Sequence, residues 1–146
     1  MLRAVEKMPT GRVLVVDDQE NMCWVLSRLL LERGHVVRTA QDRARALKML
    51  DDFDCQVAVV DYRLPDSNGI AVIVEMTSRL PRLRSILMTS YGGDALRNQA
   101  MEKGLFAYFD KPFNNDRMIE TVEFGIRAWE TDPAARAKAT TKRVKR

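Results

Sequence analysis

The feature that most constrains the fold of this chain is the alternation of short, strongly apolar runs with longer stretches of helical periodicity. Four of these runs end on chemically distinctive groups, which are Asp17-Asp18, Asp61, Thr89-Ser90 and Asp110-Lys111-Pro112. Such alternation predicts βαβ units and a parallel sheet. The carboxyl ends of parallel strands share one edge, where ligand crevices form, so we expect acids, a hydroxyl and a lysine to converge there.

The pattern predicts five strands and five helices in strict alternation, with no internal repeat. The strands are expected at 12–17, 35–40, 56–60, 84–89 and 105–109, and the helices at 21–33, 43–50, 70–79, 94–103 and about 115–129. Residues 62–69 have the composition of a loop, and Asn114 or Asn115 is a candidate N-cap for the last helix. Right-handed crossovers then favour a doubly wound sheet with helices on both faces.

Composition favours a single cytoplasmic domain. The 146 residues suit one domain with a real core, and no apolar run approaches the ~20 residues needed to cross a bilayer. The N-terminal segment also lacks the apolar stretch of a signal peptide. Cys23 and Cys55 lie in apolar patterns without metal-ligand spacing, which indicates buried free thiols in a reducing compartment.

The net charge of +4 comes from the C-terminal end of the chain. Six Lys and Arg residues follow position 135 and no acid follows Asp132, so residues 1–135 carry a net charge of −2. We therefore expect an N-terminal tail at 1–10, one domain at 11–129, and a basic flexible tail or truncated linker at 130–146. A solvated tail is favoured over a nucleic-acid arm, so direct nucleic-acid binding is not expected.

The acids at the predicted sheet edge suggest a site for a hard cation. Adjacent Asp17 and Asp18, with Asp61 from another strand, offer the oxygen ligands that Mg²⁺ prefers beside a phosphate. Without a cation, three close carboxylates repel one another and at least one pKa should rise. Each acid taken alone is equally well explained as a solvated loop residue. The fact that all three acids follow apolar runs, however, argues for a shared site.

A strand-end aspartate can also act as a nucleophile. One such side chain can attack a phosphoryl group and form an aspartyl phosphate. Lys111 would then pair with the phosphoryl charge, and Thr89 would donate a hydrogen bond to a phosphoryl oxygen. A cis bond between Lys111 and Pro112 is compatible with the sequence but is not determined by it.

Taken together, these motifs resemble the receiver domain of bacterial two-component response regulators. The matching strings are V-V-D-D at 15–18, D-Y-R-L-P at 61–65 followed by Gly69, M-T-S at 88–90 and A-Y-F-D-K-P-F at 107–113. The resemblance covers residues 11–129 and is nearest to receivers of the nitrogen-regulatory, enhancer-binding activator type. It implies a CheY-like, flavodoxin-like fold: a (βα)5 doubly wound five-stranded parallel sheet of order 2-1-3-4-5.

The resemblance also implies a metal-dependent phosphoacceptor. Asp61 would accept a phosphoryl group from a sensor histidine kinase. Asp18, Asp61 and the backbone carbonyl of Arg63 would bind Mg²⁺ directly, and Asp17 would help through water. Lys111 would pair with the phosphoryl group. Such a domain catalyses its own phosphorylation and dephosphorylation, and it is a signalling domain and not an enzyme of small-molecule metabolism.

A switch is implied by the same resemblance. Thr89 would move to bond the phosphoryl group, and Tyr108 would turn inward as the switch aromatic. The affected surface is the fourth helix, fifth strand and fifth helix, roughly residues 94–127. That surface would carry the output to an effector domain, to a downstream protein or to a second copy of the chain.

Three alternatives remain open. A flavodoxin-like cofactor-binding module needs a hydroxyl- and glycine-rich loop after the first strand, whereas this chain has Asp17-Asp18-Gln19-Glu20. An aspartyl-phosphate phosphatase would need a second acid two residues after the nucleophile, and that position is Arg63. A pseudo-receiver that is not phosphorylated and acts as an interaction domain is disfavoured by the intact acidic set.

Several positions carry weaker expectations. Receivers commonly have a large apolar residue where this chain has Asp66-Ser67-Asn68, so that loop should be more mobile or carry a different partner contact. Arg63 and Tyr91, two residues after Asp61 and Thr89, should flank the pocket and influence attack of water on the acyl phosphate. His35 is expected to be a surface or packing residue, and Trp24 to pack in the core or at an interface.

Overall fold

A computed structural model describes residues 9–133 of the chain, and a parallel sheet lies at its centre. The strands are β1 (Arg12–Val16), β2 (Val36–Ala40), β3 (Val57–Asp61), β4 (Arg63–Leu64), β5 (Ser67–Asn68), β6 (Arg84–Thr89) and β7 (Ala107–Asp110). The helices are α1 (Glu20–Glu32), α2 (Arg43–Met49), α3 (Gly69–Arg79), α4 (Asp94–Glu102) and α5 (Asn115–Glu130). The main sheet has the order β2-β1-β3-β6-β7, with all neighbours parallel. This confirms the predicted (βα)5 sheet, whose five strands follow the order 2-1-3-4-5.

Alternate residues of the central strands fill two separate cores. Successive side chains of a strand point to opposite faces, so Val13 and Val15 pack with α1 and α5, whereas Leu14 and Val16 pack beneath α2 and α3. Because both faces are covered, the central strands are continuous apolar runs without the polar alternation of a half-exposed sheet. The same burial on both faces leaves only the ends of the strands free for chemistry.

The predicted element boundaries agree with the structure to within one or two residues, as expected for helix and strand ends. The Asn114 side chain caps α5 by accepting from the Arg117 amide at 2.9 Å. The prediction that 62–69 is only a loop is wrong. It contains an antiparallel hairpin, β4–β5, because Leu64 is buried against the α2/α3 core and draws the segment onto the domain.

Asp66, in the loop where a large apolar residue is more usual, has a structural role within the chain. The Asp66 carboxylate accepts hydrogen bonds from the amides of Arg43 at 2.8 Å and Ala44 at 3.1 Å. These are unpaired donors in the first turn of α2, where the helix dipole also favours a negative charge. The bond from the Arg43 amide lowers the pKa of Asp66. The loop is therefore anchored to α2 by contacts within the chain, and the different partner contact expected here stays a prediction.

Other expectations from the sequence have mixed outcomes. Cys23 and Cys55 are buried free thiols as predicted, and burial raises their pKa values to about 11 and about 12. The Lys111-Pro112 bond is cis. Trp24 is 65% exposed, so it does not pack in the core, and its packing at an interface stays a prediction. Within residues 9–133 no helix combines the length and apolarity needed to cross a bilayer. The predicted tails lie mostly outside the described residues, at 1–8 and 134–146.

A buried charge cluster ties α5 to the amino ends of the strands. His35 is buried, and its Nδ1 accepts from the Gly11 amide at 3.1 Å while its Nε2 lies 2.9 Å from Glu123 Oε2. Since Nδ1 is an acceptor, Nε2 carries the proton that is donated to Glu123. Arg33 adds two bonds to the same carboxylate, at 2.6 and 2.9 Å. Burial raises the pKa of Glu123, but the bonds from Arg33 and His35 outweigh it and leave the pKa below its usual value.

Candidate functional site

Three acids meet at the carboxyl edge of the sheet. Asp17 follows β1 and Asp61 ends β3, and these strands are direct neighbours. One carboxylate oxygen each from Asp17, Asp18 and Asp61 lie within 4.8 Å of one another. Asp17 and Asp61 are buried, whereas Asp18 is exposed. The convergence expected from the strand ends is therefore present, with one acid facing solvent.

Lys111 bridges two of these acids. Its Nζ lies 2.8 Å from Asp17 Oδ2 and 2.8 Å from Asp61 Oδ1. Burial lowers the pKa of Lys111, but the hydrogen bonds to both carboxylates outweigh this and raise it above its ordinary value. Sequence reasoning assigned Lys111 to a phosphoryl group and missed this pairing. A cation held between two carboxylates offsets the repulsion that would otherwise push them apart.

Asp17 is the acid of this cluster whose pKa is raised, and burial is the largest cause. Burial raises its pKa above the usual value, and the nearby Asp61 adds to this, although bonds from Lys111 and the Gln19 amide act in the opposite direction. Asp17 Oδ1 accepts from Gln19 at 2.9 Å, so both of its oxygens have protein donors. At least one raised carboxyl pKa was predicted from repulsion between the acids. The pKa of Asp17 is raised, but burial contributes more to the rise than repulsion from Asp61 does.

The Asp61 carboxylate is held from two sides. Oδ1 faces Lys111, and Oδ2 accepts from the Arg63 amide at 3.1 Å. The start of α3 lies close to the backbone that follows Asp61, and the Gly69 amide there donates to the Tyr62 carbonyl at 2.7 Å. A Cβ at position 69 would lie 2.5 Å from the Asp61 carbonyl oxygen. Glycine is therefore required at 69 for the chain to pass so close to Asp61.

Thr89 and Tyr108 lie on the two neighbouring strands at the same edge. Thr89 is 2% exposed, and its Oγ1 accepts from the Tyr91 amide at 3.1 Å. Tyr108 is half-buried, and its hydroxyl accepts a long bond of 3.4 Å from the Gly93 amide. A Cβ at Gly92 would overlap that hydroxyl. The position of Tyr108 therefore depends on glycine at 92, in the loop that follows Thr89.

A cation–π contact spans the rim beside Asp61 and Thr89. The Arg63 guanidinium carbon lies 5.2 Å from the centroid of the Tyr91 ring, and both side chains are exposed. The sequence placed both residues beside the pocket but did not predict that they touch. The available signal was their shared offset of two residues from groups at the ends of neighbouring strands.

The donor set suits a hard divalent cation. The ligands at hand are carboxylate oxygens from Asp17, Asp18 and Asp61, which Mg²⁺ prefers over nitrogen or sulfur. Asp18 is the most accessible of the three because it alone is exposed, and Lys111 also occupies one oxygen each of Asp17 and Asp61. The direct role of the Arg63 carbonyl and the water-mediated role of Asp17 stay predictions.

Comparison with known proteins finds similarity over most of the chain and not only at this site. The family described as the response regulator receiver domain matches residues 13–123. The DNA-binding transcriptional regulator NtrC of Escherichia coli K12 is 34% identical over 119 residues, which are 82% of this chain and 25% of that protein. The chain thus spans about a quarter of the length of this relative.

Two solved structures are similar over most of the chain. The beryllofluoride-activated NtrC4 receiver domain dimer is 30% identical, with a TM-score of 0.76, and the match covers 81% of this chain and 98% of that one. A response regulator from Burkholderia pseudomallei, solved with a phosphorylated aspartic acid, calcium ion and citrate, is 28% identical, with a TM-score of 0.72. That match covers 83% of this chain and 73% of the other.

Proposed function

The chain belongs to the response regulator receiver domain family of bacterial two-component systems and is of the NtrC type, and from this we propose that Asp61 is its phosphoacceptor. The observation that carries the proposal is the Asp61 carboxylate held between Lys111 Nζ and the Arg63 amide, beside Asp17 and Asp18. The phosphorylated aspartic acid of the Burkholderia pseudomallei structure supports the same chemistry in a similar protein.

The proposed donor is a phosphohistidine of a sensor histidine kinase, protonated on its second ring nitrogen. An Asp61 oxygen attacks the phosphorus, the P–N bond breaks with its electron pair staying on nitrogen, and neutral imidazole leaves. The product is an acyl phosphate on Asp61, and water later attacks it to release phosphate. Lys111 is already beside Asp61 Oδ1 and within reach of a phosphoryl oxygen.

Magnesium completes the proposed site. Asp18, Asp61 and the Arg63 carbonyl would bind it, with Asp17 acting through water. When bound, Mg²⁺ would supply positive charge that stabilises the phosphoryl oxygens. We expect the domain to catalyse its own phosphorylation and dephosphorylation with these residues, as a signalling domain and not a metabolic enzyme.

We expect the wild-type chain to take up one phosphoryl group from acetyl phosphate when Mg²⁺ is present. Chelation of the metal should prevent this, because the acids alone leave too little positive charge for an incoming phosphate. Intact mass before and after incubation measures the uptake. No added phosphoryl group with Mg²⁺ present would reject the phosphoacceptor proposal, and equal uptake with the chelator would reject the metal.

Phosphorylation would shift the equilibrium between two packed states. Thr89 would donate its hydroxyl to the phosphoryl group, and Tyr108 would turn inward beside it. The surface at 94–127 would then bind an effector domain, a downstream protein or a second copy. Beryllofluoride should change the NMR signals of Thr89 and Tyr108, and signals that stay unchanged while the ligand binds Asp61 would reject the switch.

The relatives suggest where the output goes. NtrC is named as a DNA-binding regulator, and NtrC4 was solved as a receiver dimer. We propose that residues 11–129 act as the receiver and pass the signal through protein contacts, with no direct nucleic-acid binding by these residues. The cytoplasmic location expected from the sequence stays a prediction.

We expect the Arg63–Tyr91 contact to protect the acyl phosphate from water. Arg63→Ala and Tyr91→Ala should each shorten its lifetime roughly two- to fivefold, in line with the energy of an exposed cation–π pair. The measurement is loss of the phosphoryl group by intact mass after acetyl phosphate is removed. Arg28→Ala is the matched control, since Arg28 stacks on Trp24 at 5.8 Å outside the site. An unchanged or longer lifetime, or the same change in the control, would contradict this role.

A further inference from the structure

A groove of about 420 Å³ lies between α1 and α5, outside the phosphorylation site. Its apolar lining is Leu29, Ile119 and Phe124, of which Phe124 is 48% exposed. Acids line the same groove, including Asp116 and Glu120. An apolar floor with acidic sides is suited to a basic, extended segment, whose aliphatic stems can cover the floor while its charges meet the acids.

The acids of the groove are incompletely neutralised. Arg33, which also lines it, is committed to Glu123 through two hydrogen bonds. Glu32 has one exposed ion pair with Arg28 at 3.6 Å. Within residues 9–133, no Lys, Arg or His nitrogen lies within 4.0 Å of the carboxylates of Asp116 or Glu120. The groove therefore presents a net negative charge to solvent.

The end of α5 is held in a fixed position. Arg84 binds the Asp132 carboxylate at 2.9 Å, and Arg82 donates to the Trp129 carbonyl at 3.3 Å while its guanidinium stacks on the Trp129 ring. These contacts attach the last turn of the helix to the start of β6. The chain beyond Pro133 therefore starts from a defined point beside α5.

The sequence after Pro133 is positively charged, opposite in sign to the groove. Residues 134–146 contain six Lys and Arg side chains and no acid. At ~1.5 Å per residue, Glu120 lies about 15 Å back along α5 from Glu130. Thirteen extended residues span up to ~43 Å, which is ample to turn back and reach it. Tethering raises the effective concentration to about the millimolar range, so a weak attraction is enough.

We propose that residues 134–146 bind in the α1–α5 groove of the same chain, with their basic side chains at Asp116, Glu120 and Glu32. The contact is largely electrostatic and exposed, so it weakens as salt is added. Any other molecule that uses this face must first displace the segment. The proposal does not depend on phosphorylation of Asp61.

A nitroxide label at Ala139→Cys tests the contact in the 146-residue chain. Cys23 and Cys55 are buried with raised pKa values, so the new thiol reacts selectively. At low salt we expect the amide NMR signals of 29–33 and 116–124 to be broadened at least about twofold more than those of α3, and the excess to disappear at high salt. Equal broadening on all faces, or broadening centred on Asp17, Asp18 and Asp61, would overturn the proposal.

Two charge reversals make the test specific. Glu120→Lys should reduce the excess broadening by at least about half, because it places a like charge in the groove. Glu102→Lys, an equal change in net charge on exposed α4, is the matched control and should leave the broadening intact. If both variants reduce it equally, net charge and not the groove controls the segment, and the proposal fails. Retention of the full effect in Glu120→Lys also rejects it.

Discussion

Asp61→Asn is expected to abolish phosphoryl uptake from acetyl phosphate, with a loss of at least about 100-fold. This corresponds to about 2.7 kcal/mol or more in the activation barrier. An amide oxygen is a poor nucleophile and cannot form the acyl phosphate, although it has nearly the same size and can still accept from the Arg63 amide. Intact mass after incubation with Mg²⁺ and acetyl phosphate measures the difference.

The control for Asp61→Asn is Asp54→Asn. Asp54 is an exposed acid at the amino edge of the sheet, paired with Arg12 at 4.0 Å, so the same change in charge occurs far from the site. We expect this variant to take up phosphate as the wild type does. Equal uptake by the wild type and Asp61→Asn would remove Asp61 from the proposed role, whatever the family. Circular dichroism of each variant establishes that the fold is retained.

Glu123→Ala is expected to lower the free energy of unfolding by about 2–4 kcal/mol. Removing one partner of a buried charge cluster leaves the others uncompensated, and here the buried His35 Nε2–H and the Arg33 guanidinium lose their acceptor. The value is below that of a fully buried pair because Arg33 is 53% exposed. Urea unfolding at neutral pH measures the change.

Glu130→Ala is the matched control for Glu123→Ala, since it removes an exposed carboxylate two turns away on the same helix. A change within about 0.5 kcal/mol is expected there. The contribution of Glu123 should also depend on pH, because its folded pKa lies below the ordinary 4.5. It is present above about pH 4.5 and is lost as pH falls through the folded pKa. A Glu123→Ala effect no larger than that of the control would show that the cluster does not stabilise the domain.

The fold could be predicted from the sequence because it is encoded in local patterns. Apolar runs with strand length, separated by helical periods, have few solutions other than a doubly wound parallel sheet. The same topology brings strand ends together, so the convergence of Asp17, Asp61 and Thr89 followed without knowledge of any side-chain contact. Trp24 shows the limit of such patterns, since helical periodicity does not say how wide a stripe the sheet will cover.

Tertiary structure alone decided which partners these groups have. The bridge from Lys111 to Asp17 joins residues 94 apart, and the bond from His35 to Glu123 joins residues 88 apart. The capping of α2 by Asp66 and the stacking of Arg63 on Tyr91 also join residues that are far apart in the sequence. Periodicity determines which face a residue occupies. The partner of a charged side chain depends instead on strand register, rotamer and local packing, which are set only once distant segments have come together.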